Sequence, residues 1–318
     1  MRLLTKSILL LLAGLVFFFL AGLVAVWAPD KGMDELKARW AQAPSQWAVV
    51  AGLQVHLRDE GPRDDPFPIV LIHGTSDSLH TWDGWVAALR QKHRVIRFDL
   101  PGFGLTGPNP DNDYSMARYV SFVTAMLDHL GVKHCVLAGN SLGGEIAWEA
   151  ALAMPLRVRQ LVLVDASGYA VQSEAVPLAL TVARSKALRW LLDYVLPRGL
   201  VQSSLRDVYG DPAKVTPELV DRYYDMALRA GNRRALGYRM DAGLVGESAR
   251  IKTLALPTLV MWGARDRLIP LRFGQRFARD IVGSRLVVFD GLGHLPQQED
   301  PLLTVLALQK FLDMEPPN

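Results

Sequence analysis

The sequence is poor in cysteine and has no charge excess that would indicate a polyanionic partner. Cys135 is the one cysteine in 318 residues, which excludes a disulfide framework and a cysteine metal site. It lies in an apolar run, and we interpret it as a small buried hydrophobe. The 35 basic and 32 acidic residues leave a net charge of only +3. We therefore expect no nucleic acid partner.

Apolar residues are what the chain has in quantity. They make up 50% of the sequence, against 21% for charged residues, a balance typical of a well-packed globular protein. The length suits one large domain, or one domain that carries an insertion.

The first apolar run contains no charge at all. From Ser7 to Ala28 there are 22 uncharged positions, and as a helix this run reaches about 33 Å, enough to cross a hydrocarbon core of about 30 Å. The run exceeds the ~7–15 apolar residues of a cleaved signal peptide, although a removed leader and a buried helix are alternatives. We expect a transmembrane anchor over residues 1–28 and a linker or stalk over 29–46.

Basic residues flank this run almost evenly. Arg2 and Lys6 precede it, and Lys31, Lys37 and Arg39 follow it. The numbers of Lys and Arg on the two sides are nearly equal, so the positive-inside rule gives little preference for either orientation. A short basic segment before a first transmembrane span usually stays cytoplasmic. The expected localisation is therefore a single-pass membrane protein whose catalytic domain is extracytoplasmic, and periplasmic in a Gram-negative bacterium.

Beyond the stalk, short apolar runs alternate with helical patterns. Residues 47–52 and 53–61 predict a hairpin that turns at Ala51-Gly52. The later runs are continuously apolar, as in strands buried on both faces of a parallel sheet.

The strand rhythm stops at Ser167 and resumes after Ile251, with helical patterns such as 177–197 in between. Strands and helices alternate before residue 167, helices alone follow, and the alternation returns after residue 251. This order predicts one α/β layer structure with an inserted helical cap. The expected parts are a core over 47–166, the cap over 167–251 and the second part of the core over 252–318.

The stretch Gly139-Asn140-Ser141-Leu142-Gly143 lies between a predicted strand and a predicted helix. This is the context of a G-x-S-x-G nucleophile elbow, in which a strained turn projects the serine hydroxyl above the sheet. Gly139 and Gly143 fit because such a turn leaves no space for a Cβ. The following helix directs its N-terminal N–H groups at the serine. The alternative is a merely tight turn.

A nucleophilic serine needs a base, and the base needs an orienting acid. In this fold type the partners follow in the order Ser, Asp, His. Asp266 lies in the loop after one predicted strand, and His294, alone among seven histidines, lies in the glycine-rich loop after the last. Asp165, at another strand end, is the rival acid, and Asp266 is alternatively a loop cap. Asp99 is interpreted as bonding its local turn.

An oxyanion hole requires two N–H donors aimed at the carbonyl oxygen. We expect one from Leu142, the residue after the serine, and the other from Thr75 in the loop after the first buried strand. Ser76 is the second choice for the latter. Gly74 and His73 shape this loop, and we interpret His73 as structural.

These motifs together resemble the α/β-hydrolase superfamily, and most closely its branch of serine esterases and meta-cleavage-product hydrolases. The resemblance extends from Trp47 to the C-terminus. It implies a mostly parallel eight-stranded sheet flanked by helices, a Ser141–His294–Asp266 triad under a helical lid, and no metal or organic cofactor. The anchor is not typical of the branch. The motifs that carry the resemblance are LIHGTSDSLHTW, FDLPGFGLTGP, GNSLGG, GARDRLIP and GLGHLPQQEDP.

The main functional prediction is hydrolysis of a small carboxylic ester through an acyl-enzyme on Ser141. Apolar side chains of the cap predict a substrate with an apolar acyl group; they are Leu178, Leu180, Trp190, Leu191, Tyr194, Tyr223, Tyr224 and Met226. The alternatives are a carbon–carbon bond hydrolase, an acyltransferase or perhydrolase on the same triad, and a catalytically inactive binding module. A carbon–carbon hydrolase would need cations for a substrate carboxylate, and the candidates are Arg184, Arg189, Arg233 and Arg234.

Overall fold

Eight strands form a single sheet in the computed structural model, which describes residues 12–15, 17, 22, 24, 26–170, 173–174, 176–243 and 247–314. The predicted eight-stranded, mostly parallel sheet is confirmed. The strands are β1 (Gln46–Val50), β2 (Leu53–Glu60), β3 (Ile69–Ile72), β4 (Val95–Phe98), β5 (Cys135–Asn140), β6 (Val158–Val164), β7 (Thr258–Gly263) and β8 (Arg285–Phe289).

The strands lie in the order β1-β2-β4-β3-β5-β6-β7-β8. The predicted hairpin of β1 and β2 is confirmed, with Ala51 and Gly52 at φ 51° and 80° between the paired residues Val50 and Leu53. Two successive positive φ values are the signature of a type I′ turn, whose twist matches that of the strands. β2 pairs antiparallel with β4, and all the pairs from β4 to β8 are parallel.

Both faces of the sheet are covered. β3, β4, β5 and β7 are buried along their whole length, which explains why their sequences are mostly apolar. Along β3, Val70 and Ile72 belong to one hydrophobic core while Ile69 and Leu71 belong to the other, because successive side chains of a strand point to opposite faces.

The helices follow the strands in the expected alternation. In α3, the Ser115 side chain caps the first turn by accepting from the Arg118 N–H at 3.3 Å. The helices are α1 (Met33–Trp40), α2 (Asp83–Leu89), α3 (Met116–His129), α4 (Leu142–Ala153), α5 (Leu178–Arg184), α6 (Arg198–Val208), α7 (Pro217–Ala227), α8 (Asn232–Asp241), α9 (Arg272–Asp280), α10 (Pro296–Glu299) and α11 (Pro301–Met314).

Between β6 and β7 the described chain forms helices and no strand. We call residues 178–253 the helical insertion; it holds α5 to α8 and three short 3₁₀ helices, Arg189–Asp193, Pro212–Lys214 and Ser248–Thr253. The single helical pattern over 177–197 is broken, because Ser185 leaves the helical region at φ −81° and ψ 107°. The division into core, cap and core at 166 and 251 stays a prediction.

Part of the segment predicted as a linker contacts the helical insertion. The buried carboxylate of Asp225 in α7 binds Lys31 Nζ at 3.1 Å, Arg39 Nη1 at 2.7 Å and Trp40 Nε1 at 2.9 Å. The Arg233 guanidinium of α8 donates to the carbonyl oxygen of Ala28 at 2.7 Å. These contacts attach α1 and the residues before it to the insertion, whatever precedes them.

The prediction of a membrane protein is contradicted. Much of the run 7–28 lies outside the described residues. Within the described residues, none of the helices combines the length and apolar character that crossing a bilayer demands. The transmembrane helix and the extracytoplasmic localisation therefore lack support and are withdrawn.

Candidate active site

The turn between β5 and α4 holds Ser141 in a strained conformation. Its φ of 54° and ψ of −117° lie where side-chain-bearing residues are rare, a conformation that costs on the order of 1–3 kcal/mol. A Cβ on Gly139 would lie 2.1 Å from the Gly143 carbonyl oxygen, and one on Gly143 would lie 2.2 Å from that of Ile72. The serine is thus raised at the carboxyl edge of the sheet, at the N-terminus of a helix.

The predicted base and acid are in direct contact. His294 Nδ1 lies 2.7 Å from Asp266 Oδ2, and both side chains are buried. The other oxygen, Asp266 Oδ1, accepts the N–H groups of Leu268 and Ile269, both at 2.8 Å. With an ionised Asp266, Nδ1 carries the proton that it donates, so Nε2 is the nitrogen left to accept a proton.

Ser141 and His294 line one cavity of about 300 Å³. No hydrogen bond joins the Ser141 hydroxyl to the imidazole among the described contacts. Such bonds are often long in a ligand-free site and shorten when substrate binds. The structure thus brings Ser141, His294 and Asp266 to one site, and their catalytic roles stay a prediction.

The loop after β3 forms the facing wall of the cavity. Gly74, Thr75 and Ser76 all line it, and a Cβ on Gly74 would lie 3.1 Å from Ser141 Cβ. In the described part of the chain, no hydrogen bond occupies the N–H of Thr75 or Leu142. Both donors are therefore available for an oxyanion, as a hole of this kind requires.

His73 supports this loop. The buried ring donates from Nδ1 to the Gly74 carbonyl oxygen at 2.7 Å, while Nε2 accepts the Leu100 N–H at 2.9 Å. Both ring nitrogens are used in these bonds, so the contacts agree with a structural role and leave no nitrogen for acid–base chemistry.

The rival acid, Asp165, lies beside Asp266. One carboxylate oxygen of each and a ring nitrogen of His294 are all within 4.8 Å of one another. Asp165 is fully buried, and this burial, followed by the negative charge of Asp266, raises its pKa well above the ordinary value. The raised pKa favours the protonated form of Asp165, and the carboxylate that holds His294 is that of Asp266.

The same three side chains are close enough to hold a metal ion. However, His294 Nδ1 and Asp266 Oδ2 are already joined to each other, and a protonated carboxyl such as Asp165 is a poor ligand for a cation. The chemistry of the donor set therefore favours an acid–base relay over a metal site, and the absence of a metal and of an organic cofactor stays a prediction.

Two positioning residues escaped the sequence analysis. Glu299, buried in α10, accepts the N–H groups of Gly293 at 2.9 Å, Gly210 at 3.0 Å and Asp211 at 2.7 Å. Asn140 Nδ2 donates to the His294 carbonyl oxygen at 3.0 Å. Both residues stand inside motifs that the analysis singled out, but their partners are 6 to 154 positions away, so sequence alone gave no signal for these roles.

Glu299 therefore joins the base to the helical insertion, and we predict that Glu299→Ala lowers both stability and activity. Three N–H groups lose their acceptor, and the buried one on Gly293 costs about 1–3 kcal/mol if it stays unpaired. We expect a lower denaturation midpoint and a lower kcat, since the His294 loop loosens. The matched control is Glu174→Ala, because Glu174 is exposed and its carboxylate pairs with Arg272 on the surface. Wild-type stability in Glu299→Ala would contradict this role.

The arginines of the helical insertion differ in their partners. Arg189 binds Asp241 at 2.6 Å, Arg233 binds Asp30 at 2.6 Å and Arg234 binds Asp193 at 3.0 Å. Arg184 also lines the cavity and is exposed. Within the described chain, no ion pair to a carboxylate involves Arg184.

Most of the cavity wall that the helical insertion contributes is apolar. Of the apolar side chains that the sequence analysis assigned to the cap, Leu180, Tyr223 and Met226 line the cavity. Trp190 and Tyr194 are instead half-exposed on the outer surface. The cavity also has wall residues that the analysis did not name, such as Leu192, Leu196, Val201, Leu205, Leu236 and Met240.

Comparisons with known proteins agree with this architecture. Residues 68–301 match the family model of the alpha/beta hydrolase fold. A 2-hydroxymuconate semialdehyde hydrolase of Pseudomonas putida is 30% identical over 274 residues, which cover 83% of this chain and 92% of the relative. A meta-cleavage product hydrolase from Pseudomonas fluorescens, solved as a crystal structure, is 25% identical with a TM-score of 0.73 and covers 85% of this chain and 97% of its own.

A third similar protein differs in how much of the chain it matches. The crystal structure of a membrane phospholipase A, a bacterial virulence factor, is 25% identical with a TM-score of 0.72. The match covers 99% of this chain and 99% of the phospholipase.

Proposed function

Because this chain belongs to the alpha/beta hydrolase family, we propose that it is a serine hydrolase that cleaves carboxylic esters through an acyl-enzyme on Ser141. The observation that carries the proposal is the contact of His294 Nδ1 with Asp266 Oδ2 at 2.7 Å, at the wall of the cavity into which Ser141 projects. That contact leaves Nε2 of the imidazole to act as the base.

The proposed reaction has two halves. Ser141 Oγ attacks the ester carbonyl carbon while its proton passes to His294 Nε2, and the alkoxide leaves with that proton. Water then enters, gives a proton to Nε2 and attacks the acyl carbon, which releases the acid and restores the serine. Asp266 stays ionised throughout and stabilises the imidazolium.

The oxyanion of both halves would be bound by N–H groups of Thr75 and Leu142. Leu142 is the first residue of α4, where the unpaired N–H groups and the helix dipole favour negative charge. Neither donor competes for another acceptor in the described part of the chain. Removal of one such donor typically costs about 10²–10³-fold in kcat.

The cavity supports an apolar acyl group as the part of the substrate that is bound. Its volume of about 300 Å³ is at the lower end of the range for small-molecule sites, about 300–1,000 Å³. Its wall is mainly aliphatic where the helical insertion covers it. The near full-length match to a phospholipase A, an acyl-ester hydrolase by its name, supports the same type of scissile bond, a carboxylic ester.

Carbon–carbon bond hydrolysis is the second candidate, and the curated relatives support it better than they support ester hydrolysis. Besides the 30% identical semialdehyde hydrolase, a 2-hydroxy-6-oxo-2,4-heptadienoate hydrolase is 28% identical over 278 residues. Such a substrate carries a carboxylate. Arg184, at the cavity without a carboxylate partner among the described residues, is the cation that it would meet.

A substrate panel separates the two candidates. We expect kcat/KM for p-nitrophenyl butyrate to exceed that for 2-hydroxy-6-oxo-2,4-heptadienoate by at least about tenfold, with both rates absent in Ser141→Ala. The reverse ratio would replace our proposal with carbon–carbon hydrolysis. Adding an alcohol or peroxide to the ester assay tests acyl transfer, since faster product formation than in water alone would indicate a transferase or perhydrolase.

A further inference from the structure

We propose that Asp165 is a positioning residue and the reserve acid of the catalytic relay. Its protonated carboxyl donates to Asp266 in the resting protein, and its carboxylate replaces that of Asp266 as the partner of His294 when Asp266 is uncharged. The inference rests on the proposed serine hydrolase function.

The sheet delivers both acids to one place. β6 and β7 are parallel neighbours, so the residues after them, Asp165 and Asp266, reach the same carboxyl edge. The Asp165 backbone N–H donates to the Met261 carbonyl oxygen at 3.0 Å, and its Oδ1 accepts the Gly263 N–H at 3.0 Å. The β7 backbone thereby fixes the Asp165 side chain next to the acid of the relay.

The hydrogen bonds of Asp165 indicate where its proton lies. Oδ2 is fully buried, and no donor among the described residues reaches it. A buried carboxylate oxygen without a donor is costly, whereas an oxygen that carries a proton is itself a donor. Asp266 is the neighbouring acid, with a carboxylate oxygen within 4.8 Å of one of Asp165. The orphaned oxygen is thus explained by a proton shared between the two carboxyls.

The electrostatics of the two carboxyls also favour a proton on Asp165. Asp165 is 0% and Asp266 3% exposed, and two adjacent buried carboxylates cannot both stay ionised. Burial, then Asp266, then the carboxylate of Glu299 raise the pKa of Asp165. The imidazole of His294, the remaining titratable neighbour, is held through Nδ1 by Asp266. One negative charge therefore resides in the pair, on Asp266.

Neutralising Asp266 changes this balance. In Asp266→Asn the neighbouring negative charge, the second cause of the raised pKa, is gone, and burial, the first cause, remains. The pKa of Asp165 then falls, and the imidazolium that forms beside it favours loss of the Asp165 proton to solvent. The resulting carboxylate lies within 4.8 Å of a His294 ring nitrogen, close enough to stabilise the imidazolium that forms when Ser141 gives up its proton. Some activity then survives that would not survive without Asp165.

Four proteins test this: wild type, Asp165→Asn, Asp266→Asn and the double variant, each assayed for kcat on p-nitrophenyl butyrate. Asparagine keeps a donor for Asp266 and an acceptor for Gly263, and it tolerates the φ of 43° at this position, so Asp165→Asn removes the reserve carboxylate and keeps the positioning contacts. We expect Asp266→Asn to lose about 10²-fold and the double variant about 10⁴-fold. Equal losses in the last two would overturn the proposal.

A second readout does not depend on turnover. In a Ser141→Ala background, NMR titration of the imidazole of His294 should give a higher pKa in Asp266→Asn than in the double variant, because only the former offers it a carboxylate. Identical pKa values would contradict a reserve acid, even if the proposed function holds. Conversely, ester hydrolysis that persists in Ser141→Ala refutes the proposed function and leaves this titration valid. If the double variant does not fold, Asp165→Ser takes the place of Asp165→Asn.

Discussion

Replacing Ser141 by alanine should reduce kcat on p-nitrophenyl butyrate by about 10⁴- to 10⁶-fold. The substitution removes the attacking oxygen and leaves the cavity and the His294–Asp266 pair in place, so KM should change little. His294→Ala should lose a similar factor, and the double variant scarcely more, because the two residues act as one unit. Initial rates with purified protein measure all three.

Ser203→Ala is the matched control, since Ser203 is an exposed residue of α6 whose hydroxyl contacts only its own helix among the described residues. A fluorophosphonate probe should label the wild-type protein at Ser141 and leave Ser141→Ala unlabelled, as mass spectrometry of the digested protein can show. A wild-type protein that resists the probe and hydrolyses nothing in the panel would favour the binding-module alternative.

Gly143→Ala should unfold the protein or destabilise it by more than about 3 kcal/mol. The added Cβ would lie 2.2 Å from the Ile72 carbonyl oxygen and 2.5 Å from that of His73. Both are backbone atoms of the β3 edge, so neither can move without displacing a central strand. Thermal and denaturant unfolding measure the loss, and the yield of folded protein is a first indication.

Gly199→Ala is the control for this prediction. Gly199 lies in the first turn of α6, and no atom within 4 Å would meet its Cβ. Stability should stay unchanged or rise by up to about 1 kcal/mol, because alanine favours helix. A Gly143→Ala protein as stable as the Gly199→Ala protein would mean that the elbow can relax away from β3.

The central sheet was predictable because its signal is local. A strand buried on both faces is mostly apolar, as Ile69–Ile72 is. A two-residue turn with positive φ favours a sequence such as Ala51-Gly52. The elbow was predictable for the same reason, since its steric demands fall on five consecutive residues.

The choice between two acids could not be made from the sequence. Asp165 and Asp266 both follow a strand, and which of them holds the imidazole depends on how β6, β7 and β8 lie side by side. The sequence analysis favoured Asp266 but treated Asp165 as an exclusive rival. The structure has them adjacent, where the charge of one determines the protonation of the other.

The packing of the N-terminal segment against the helical insertion could not be predicted, because it depends on long-range contacts. An anchor was inferred from apolarity alone, which cannot establish a continuous helix. The attachment of α1 to the helical insertion depends on Asp225, which binds Arg39 across 186 positions. Pairs so far apart leave no periodic pattern in a single sequence, and the acidic and basic residues of α1 look like an ordinary solvated helix face.

The Glu299 carboxylate connects the helical insertion to the loop that carries His294. Gly293 of the His294 loop and Gly210 of the helical insertion both donate to its Oε2, and the His294 N–H donates directly to Val208 at 2.7 Å. A displacement of Gly210 or Val208 would therefore also move the loop that carries His294. The position of the imidazole is thus coupled to that of the helical insertion.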